Sequence, residues 1–246
     1  MMRRGGVSYG GPARAYWFDV TASNHSDPDA SDTRLRRWAA AAGIAGPVAL
    51  VAYFSAPALV GWPYAGGSAH ELAAFARTHE TLFYAGAWLQ ATGTLLSIVF
   101  FLALVVLARA TTCLSGLVVI VGSASLLAVV LVEAAFLVAV PIAAANNDTA
   151  TVATAFAMSN GVFVRVFPLA PASATLIGLG AILRRGEVLD SRFGTAALAI
   201  GEAFLIGGLI SVVTPAGLIL VGVLSVSQAG WTALAAISLG RLHAAV

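Results

Sequence analysis

From Thr81 to Ala108 the chain carries no charged residue. About 20 apolar residues at 1.5 Å per residue cross the hydrocarbon core of a bilayer, so this stretch alone is long enough to span one. Backbone N–H and C=O groups find no water inside lipid, so a spanning run of this kind must satisfy them within itself, as a helix. Five further runs share its character: residues 38–61, 116–140, 158–183, 193–213 and 215–239. Of the 246 residues, 59% are hydrophobic and 10% charged, where soluble domains carry about 25% charged residues. The expected fold is therefore all-α and polytopic, with six transmembrane helices in a domain over residues 36–246. Residues 1–35 are polar, with little apolar periodicity, and read as a disordered cytoplasmic tail.

The links between runs set the topology. All thirteen basic residues are arginine. With six spans, the tail, the Arg109 link, the 184–192 link and the C-terminus fall on one side, and together they hold eleven arginines. The other side holds Arg77, and Arg165 lies within a span. Because arginine and lysine accumulate on the cytoplasmic side, both termini are expected there, in a multi-pass protein of the cytoplasmic membrane. The pI near 9.0 comes with a net charge of only +2 and with arginines at helix ends. That points to membrane topology and away from nucleic acid. An all-arginine, Ala- and Gly-rich chain suits a GC-rich bacterial gene.

A signal peptide is the rival reading of the first run, since Ala56-Pro57-Ala58 loosely resembles a cleavage site. The run is longer than the about 7–15 residues of a signal core, which favours a span. Trp38 on one side and Trp62 and Tyr64 on the other read as interfacial anchors. After it, Ser68 with Glu71 three residues on fits a capping box. Leu72, Phe75, His79 and Leu82 recur at helical spacing, so a short amphipathic helix at the external interface should precede the second span. Asn147 or Asp148 can cap the helix entering the fourth span. Pro168 and Pro171 should kink that span.

Few polar groups lie inside the runs. Glu133 stands seven residues before the end of the third run and Arg165 seven after the start of the fourth. Both should lie roughly 10 Å from the same face. A lone charge there is costly, and a pair at matched depth is the usual solution. Glu133–Arg165 is therefore expected as an ion pair, either a registry lock between adjacent helices or a substrate contact. Glu202 lies near the middle of the fifth run, with Gln228 of the sixth at similar depth. It reads as a neutral carboxyl hydrogen-bonded to Gln228, or as a proton carrier. Gly86, Gln90, Gly93 and Ser97 share one face, as do Gly194, Ala197, Gly201 and Gly208. Such stripes let helices approach closely, within one chain or across a homo-oligomer or partner-protein interface.

Chemistry has little to stand on. His70, Glu71, His79 and Glu80 lack the H-E-x-x-H spacing of a metal site. Cys113 is the only cysteine, which excludes an internal disulfide and a multi-cysteine metal site. No phosphate loop, dinucleotide fingerprint or nucleophile elbow occurs. No enzyme activity and no cofactor is expected. An arginine-rich start, a first span, an external amphipathic helix, a small-residue second span and an arginine-bearing helix after an external loop follow in order. Over residues 36–242 this layout resembles bacterial six-helix membrane proteins grouped as a domain of unknown function. The resemblance implies an integral membrane protein and assigns no residue a role. The expected role is a non-catalytic accessory, scaffold or sensor. The alternative is a small proton-coupled permease using Glu202 and the Glu133–Arg165 pair, with Gln90 and Gln228 among the polar groups it would draw on.

Overall fold

The computed structural model describes residues 28–63, 67–214 and 217–244. Most of the expected tail, the anchor Tyr64 and the turn residue Pro215 lie outside these. Every regular element is helical: α1 (Pro28–Val60), α2 (Ala69–Thr78), α3 (Glu80–Leu107), α4 (Leu114–Ala145), α5 (Thr149–Gly161), α6 (Ser173–Leu183), α7 (Ser191–Val213) and α8 (Gly217–Ala244). Two wide π-helical turns, Val162–Val166 and Pro168–Ala172, join α5 to α6 into one long rod. Six of these helices or rods are long and apolar enough to cross a membrane. The first helix starts at Pro28, so the end of the stretch read as tail is helical and continuous with the first span.

Each span packs on its neighbours in sequence, α1 on α3, α3 on α4, α4 on the α5–α6 rod, α6 on α7 and α7 on α8. The last closes on the first, α8 against α1. The bundle is thus a ring in chain order, as short links between antiparallel neighbours dictate. Gly61 (φ +68°) and Gly186 (φ +73°) follow the ends of α1 and α6, where a left-handed residue stops a helix cheaply.

The small-residue stripes are used up within the ring. A Cβ on Gly46 would stand 2.8 Å from the Gly93 carbonyl oxygen, and one on Gly93 would stand 2.9 Å from that of Gly46. Helices α1 and α3 therefore touch backbone to backbone, which only glycine permits at both positions. The α7 stripe packs likewise on the rod, Gly194 against Arg184, Gly201 against Ile177 and Gly208 against Leu169.

The two prolines of the rod explain its π turns. Neither Pro168 nor Pro171 has an N–H to give to a carbonyl one turn back. The ladder instead closes over five residues, Phe167 N to Val162 O (3.0 Å) and Ala172 N to Phe167 O (3.1 Å). The Val164 carbonyl, which Pro168 cannot serve, lies 2.8 Å from the Ser211 hydroxyl of α7.

Buried apolar residues form two clusters. One fills the ring toward the end away from α2, around Phe100, Phe101, Leu104, Leu176, Leu179 and Leu239. The other lies under α2, around Leu72, Phe83, Leu137, Val152 and Phe156. The amphipathic helix packs on α4 and α5, burying Leu72, Ala73 and Ala76. It is thus a cap on the bundle as well as a helix at its edge. Its Arg77 donates to Ala144 O (3.3 Å) and Asn147 Oδ1 (3.4 Å). That places a cation on the carbonyl end of α4, where the helix dipole favours it.

Candidate functional site

The buried stripe of α4 runs Val119, Gly122, Leu126, Val130, Glu133, Leu137 and Val140. A carboxyl at position 133 of that stripe must point into the ring, and Glu133 is 2% exposed. Gln90 falls on the corresponding stripe of α3 at 3% exposed, and Gln228 on that of α8 at 8%. Together with Thr94, Ser97 and Ser225 they line one narrow slot of about 30 Å³. The polar groups that reach the Glu133 carboxyl are Gln90 and the Tyr53 phenol of α1. Glu133 Oε2, Gln90 Oε1 and Gln228 Oε1 have no hydrogen-bond partner. Buried polar atoms are rarely left so, because each forfeits its water without replacement.

On the α2 side of Glu133 a larger cavity opens, of about 240 Å³. Tyr53, Phe54, Trp62, Phe83, Phe156 and Phe163 form its aromatic walls, and Glu133, Ser159 and Asn160 are among its polar lining groups. Trp62 closes it beneath α2, with ring centroids 5.0 Å from Phe83, 5.7 Å from Phe75 and 5.8 Å from Phe156. Trp62, half-buried just past the end of α1, is thus part of a folded aromatic cluster. Phe54 and Phe163, with centroids 5.7 Å apart, line both the cavity and the slot, as does Glu133. The aromatic pair and the carboxylate therefore mark the division between the two spaces. The last wall is Gly222 of α8, where an added Cβ would meet nothing within 4 Å.

Two expected partnerships are corrected. Arg165 is exposed on the outside of the ring, and the polar neighbours of Glu133 are Gln90 and Tyr53 instead. The segments do meet at this level, since Phe163 lines the same cavities as Glu133. What differs is direction. The buried stripe Val152, Phe156, Ser159 runs into the wide turns and resumes at Phe167 and Pro168, leaving Arg165 outside it. Glu202 is exposed as well. It follows the buried Gly201 on α7, and one residue turns a helix by about 100°. Gln228 faces inward, so the Glu202–Gln228 pair is not formed. Of the five singled-out polar residues, the fold brings Glu133, Gln90 and Gln228 together and sends Arg165 and Glu202 outward.

The sequence reading missed Tyr53, Asn160 and the aromatic walls. The signal available was the small-residue stripe of each span. Extended through Gln90 and through Gly201, it separates inward from outward polar groups, whereas depth alone does not.

The acidic and histidine groups of α2 and of the α4–α5 link serve local structure. The capping box forms, with Ser68 N donating to Glu71 Oε2 (3.0 Å) and Glu71 N to Ser68 Oγ (3.3 Å). The Ser68 side chain and backbone hold the Glu71 carboxyl below its ordinary range. Asp148 caps α5 through Thr151 N (3.0 Å), and the Thr151 side chain and backbone lower its carboxyl similarly. His79 stacks on Phe75 with centroids 4.2 Å apart, while His70 and Glu80 are exposed. Among the described residues no three His, Cys, Asp or Glu side chains converge on a metal position. Compared with known proteins, the chain matches no family model, no curated protein and no solved structure.

Proposed function

We propose that this multi-pass membrane protein is a non-catalytic receptor or accessory protein that holds a small molecule in the cavity beneath α2. One observation carries the reading: a buried carboxylate with an unpartnered oxygen lines an aromatic-walled cavity of about 240 Å³. Ligand sites are typically such apolar concavities with a few convergent polar groups. The non-catalytic part rests on the lining, where, among the described residues, Glu133 is the one carboxyl and no histidine, lysine or cysteine joins it. The arginine skew supports a bacterial cytoplasmic membrane, with both termini in the cytoplasm and the cavity in the external half.

Thermal unfolding of the purified protein against a panel of small amphiphiles tests binding, with Gly222→Leu as the filled-cavity reference. Some compounds should raise the midpoint of the wild-type chain and leave Gly222→Leu unmoved. If every compound shifts both chains alike, the reading fails. Reporter fusions after residues 112, 146, 188 and 246 should read in, out, in and in, and an external C-terminus overturns the orientation.

The second reading, a proton-coupled permease, is favoured by the slot on the far side of Glu133 and the Phe54–Phe163 division. In that case Glu133, not the outward Glu202, carries the proton. Uptake into proteoliposomes driven by a proton gradient and abolished in Glu133→Gln would establish it.

A further inference from the structure

The chemical class of the ligand follows from what the cavity walls carry and what they lack. Resting on the binding reading above, we infer that the cavity selects a small organic cation, an ammonium group bearing apolar substituents. Three observations point there.

The first is the uncompensated carboxylate. Glu133 is 2% exposed, and among the described residues its Oε2 has no partner and no arginine, lysine or histidine joins it in the lining. A carboxyl buried this deep, with Gln90 and Tyr53 as its polar neighbours, takes up a full negative charge only when a cation comes to it. Arg165, the arginine that lies within a span, is exposed on the outside of the ring. The protein withholds the counter-charge that the fold could have supplied from the same rod.

The second is the wall chemistry. Trp62, Phe83, Phe156, Phe54, Phe163 and Tyr53 surround the space. The faces of aromatic rings carry negative charge density and attract cations, quaternary ammonium groups above all. Trp62 sits against Phe83 and Phe156 with centroids 5.0 and 5.8 Å away. Rings and a carboxylate around one space favour a positive charge with an apolar coat, and they disfavour an anion or a sugar.

The third is size and access. About 240 Å³ is below the about 300–1,000 Å³ of drug-sized pockets. One ring with one substituted nitrogen suits it. Gly222 lines one wall, and among the described residues nothing lies within 4 Å of its would-be Cβ.

The test compares benzyltrimethylammonium with neopentylbenzene, its uncharged isostere in which carbon replaces nitrogen. Binding to the protein in nanodiscs is read as the ligand-dependent shift of the unfolding midpoint. The shift of Gly222→Leu is subtracted, so that partition into lipid cancels. The cation should bind about tenfold more tightly than the isostere, since ring and carboxylate attraction add in a desolvated site. Glu133→Gln should remove most of that preference. Equal binding of the two compounds to the wild-type chain overturns the cation assignment and leaves the cavity a binding site. Absence of any shift beyond that of Gly222→Leu overturns the binding reading too. The wild-type comparison of charged with uncharged ligand stands alone, so the inference is tested even where Glu133→Gln fails to fold.

Discussion

The two halves of the ring are built from the same residues to opposite ends. Away from α2, α1 and α8 meet closely. A Cβ on Gly43 would stand 2.8 Å from the Ala236 Cβ, and Ala40 lies in ordinary contact with Gly240. Phe100, Phe101, Leu104 and Leu239 are completely buried there. Toward α2 the same α8 offers Gly222 to open space, and the interior holds a cavity, a carboxylate and orphaned amide oxygens. One half spends its glycines on contact and the other leaves one facing a void. Interiors normally pack to crystal density, so the loose, polar half is where a function is to be sought and the dense half is what keeps the ring together.

That contrast can be broken by measurement. The largest expected effect is in the dense half. Phe101→Ala should lose about 3–5 kcal/mol of stability, because its site cannot collapse. Phe54→Ala, whose ring already borders empty space, should lose less than half of that. Thermal unfolding in a mild detergent ranks the two, and equal losses would erase the distinction between the halves.

The next effect has the opposite sign. Glu133→Leu removes a buried carboxyl whose Oε2 has no partner among the described residues, and should stabilise by about 1–3 kcal/mol, the cost of leaving a buried polar group unsatisfied. Were Glu133 engaged in an undetected ion pair, the same change would destabilise. A cycle with Arg165→Ala sharpens this, since the two effects should simply add.

Ser211→Ala comes third. It removes the hydroxyl that lies 2.8 Å from the half-buried Val164 carbonyl and 2.6 Å from Gly208 O of its own helix, which should cost about 0.5–1.5 kcal/mol, the net worth of one hydrogen bond. It should also loosen the joint between the π turns and α7, visible as faster amide exchange around Phe167. Fourth, Ser68→Ala should cost about 1 kcal/mol of cap stability. The Glu71 and Asp148 carboxyls are held below their ordinary range. Their stabilising share is present above that range and is lost as pH falls through the lowered folded values. Acidification should therefore release α2 before the ring opens, and Ser68→Ala should flatten the Glu71 part of that dependence. The smallest effect is expected at Glu202, where Glu202→Gln on the outer face should change stability by less than about 0.5 kcal/mol.

Much of the fold could be read directly. The spans, their order and the capping box at Ser68 follow from local properties, and the structure has them. Runs of apolar residues forbid anything but helices in lipid, and Ser68 needs only Glu71 three residues on. The partly legible element is the rod from α5 to α6. Pro168 and Pro171 announce a break, but the form it takes, two π turns with the Ser211 hydroxyl of α7 beside the Val164 carbonyl, is seen only in the fold.

The candidate site was least legible. The sequence by itself determined which polar residues enter the membrane and roughly how deep, because depth is counted along one helix at a constant rise. Only the tertiary structure decided which of them meet. Direction around a helix changes by about 100° per residue, so Gly201 faces in and Glu202 faces out. Which neighbour stands opposite depends on how the ring closes. Glu133 and Arg165 thus share a level and face different worlds, while Tyr53 with Trp62, Gln90, and Phe163 arrive from three separate segments to build a site that no single stretch of chain contains.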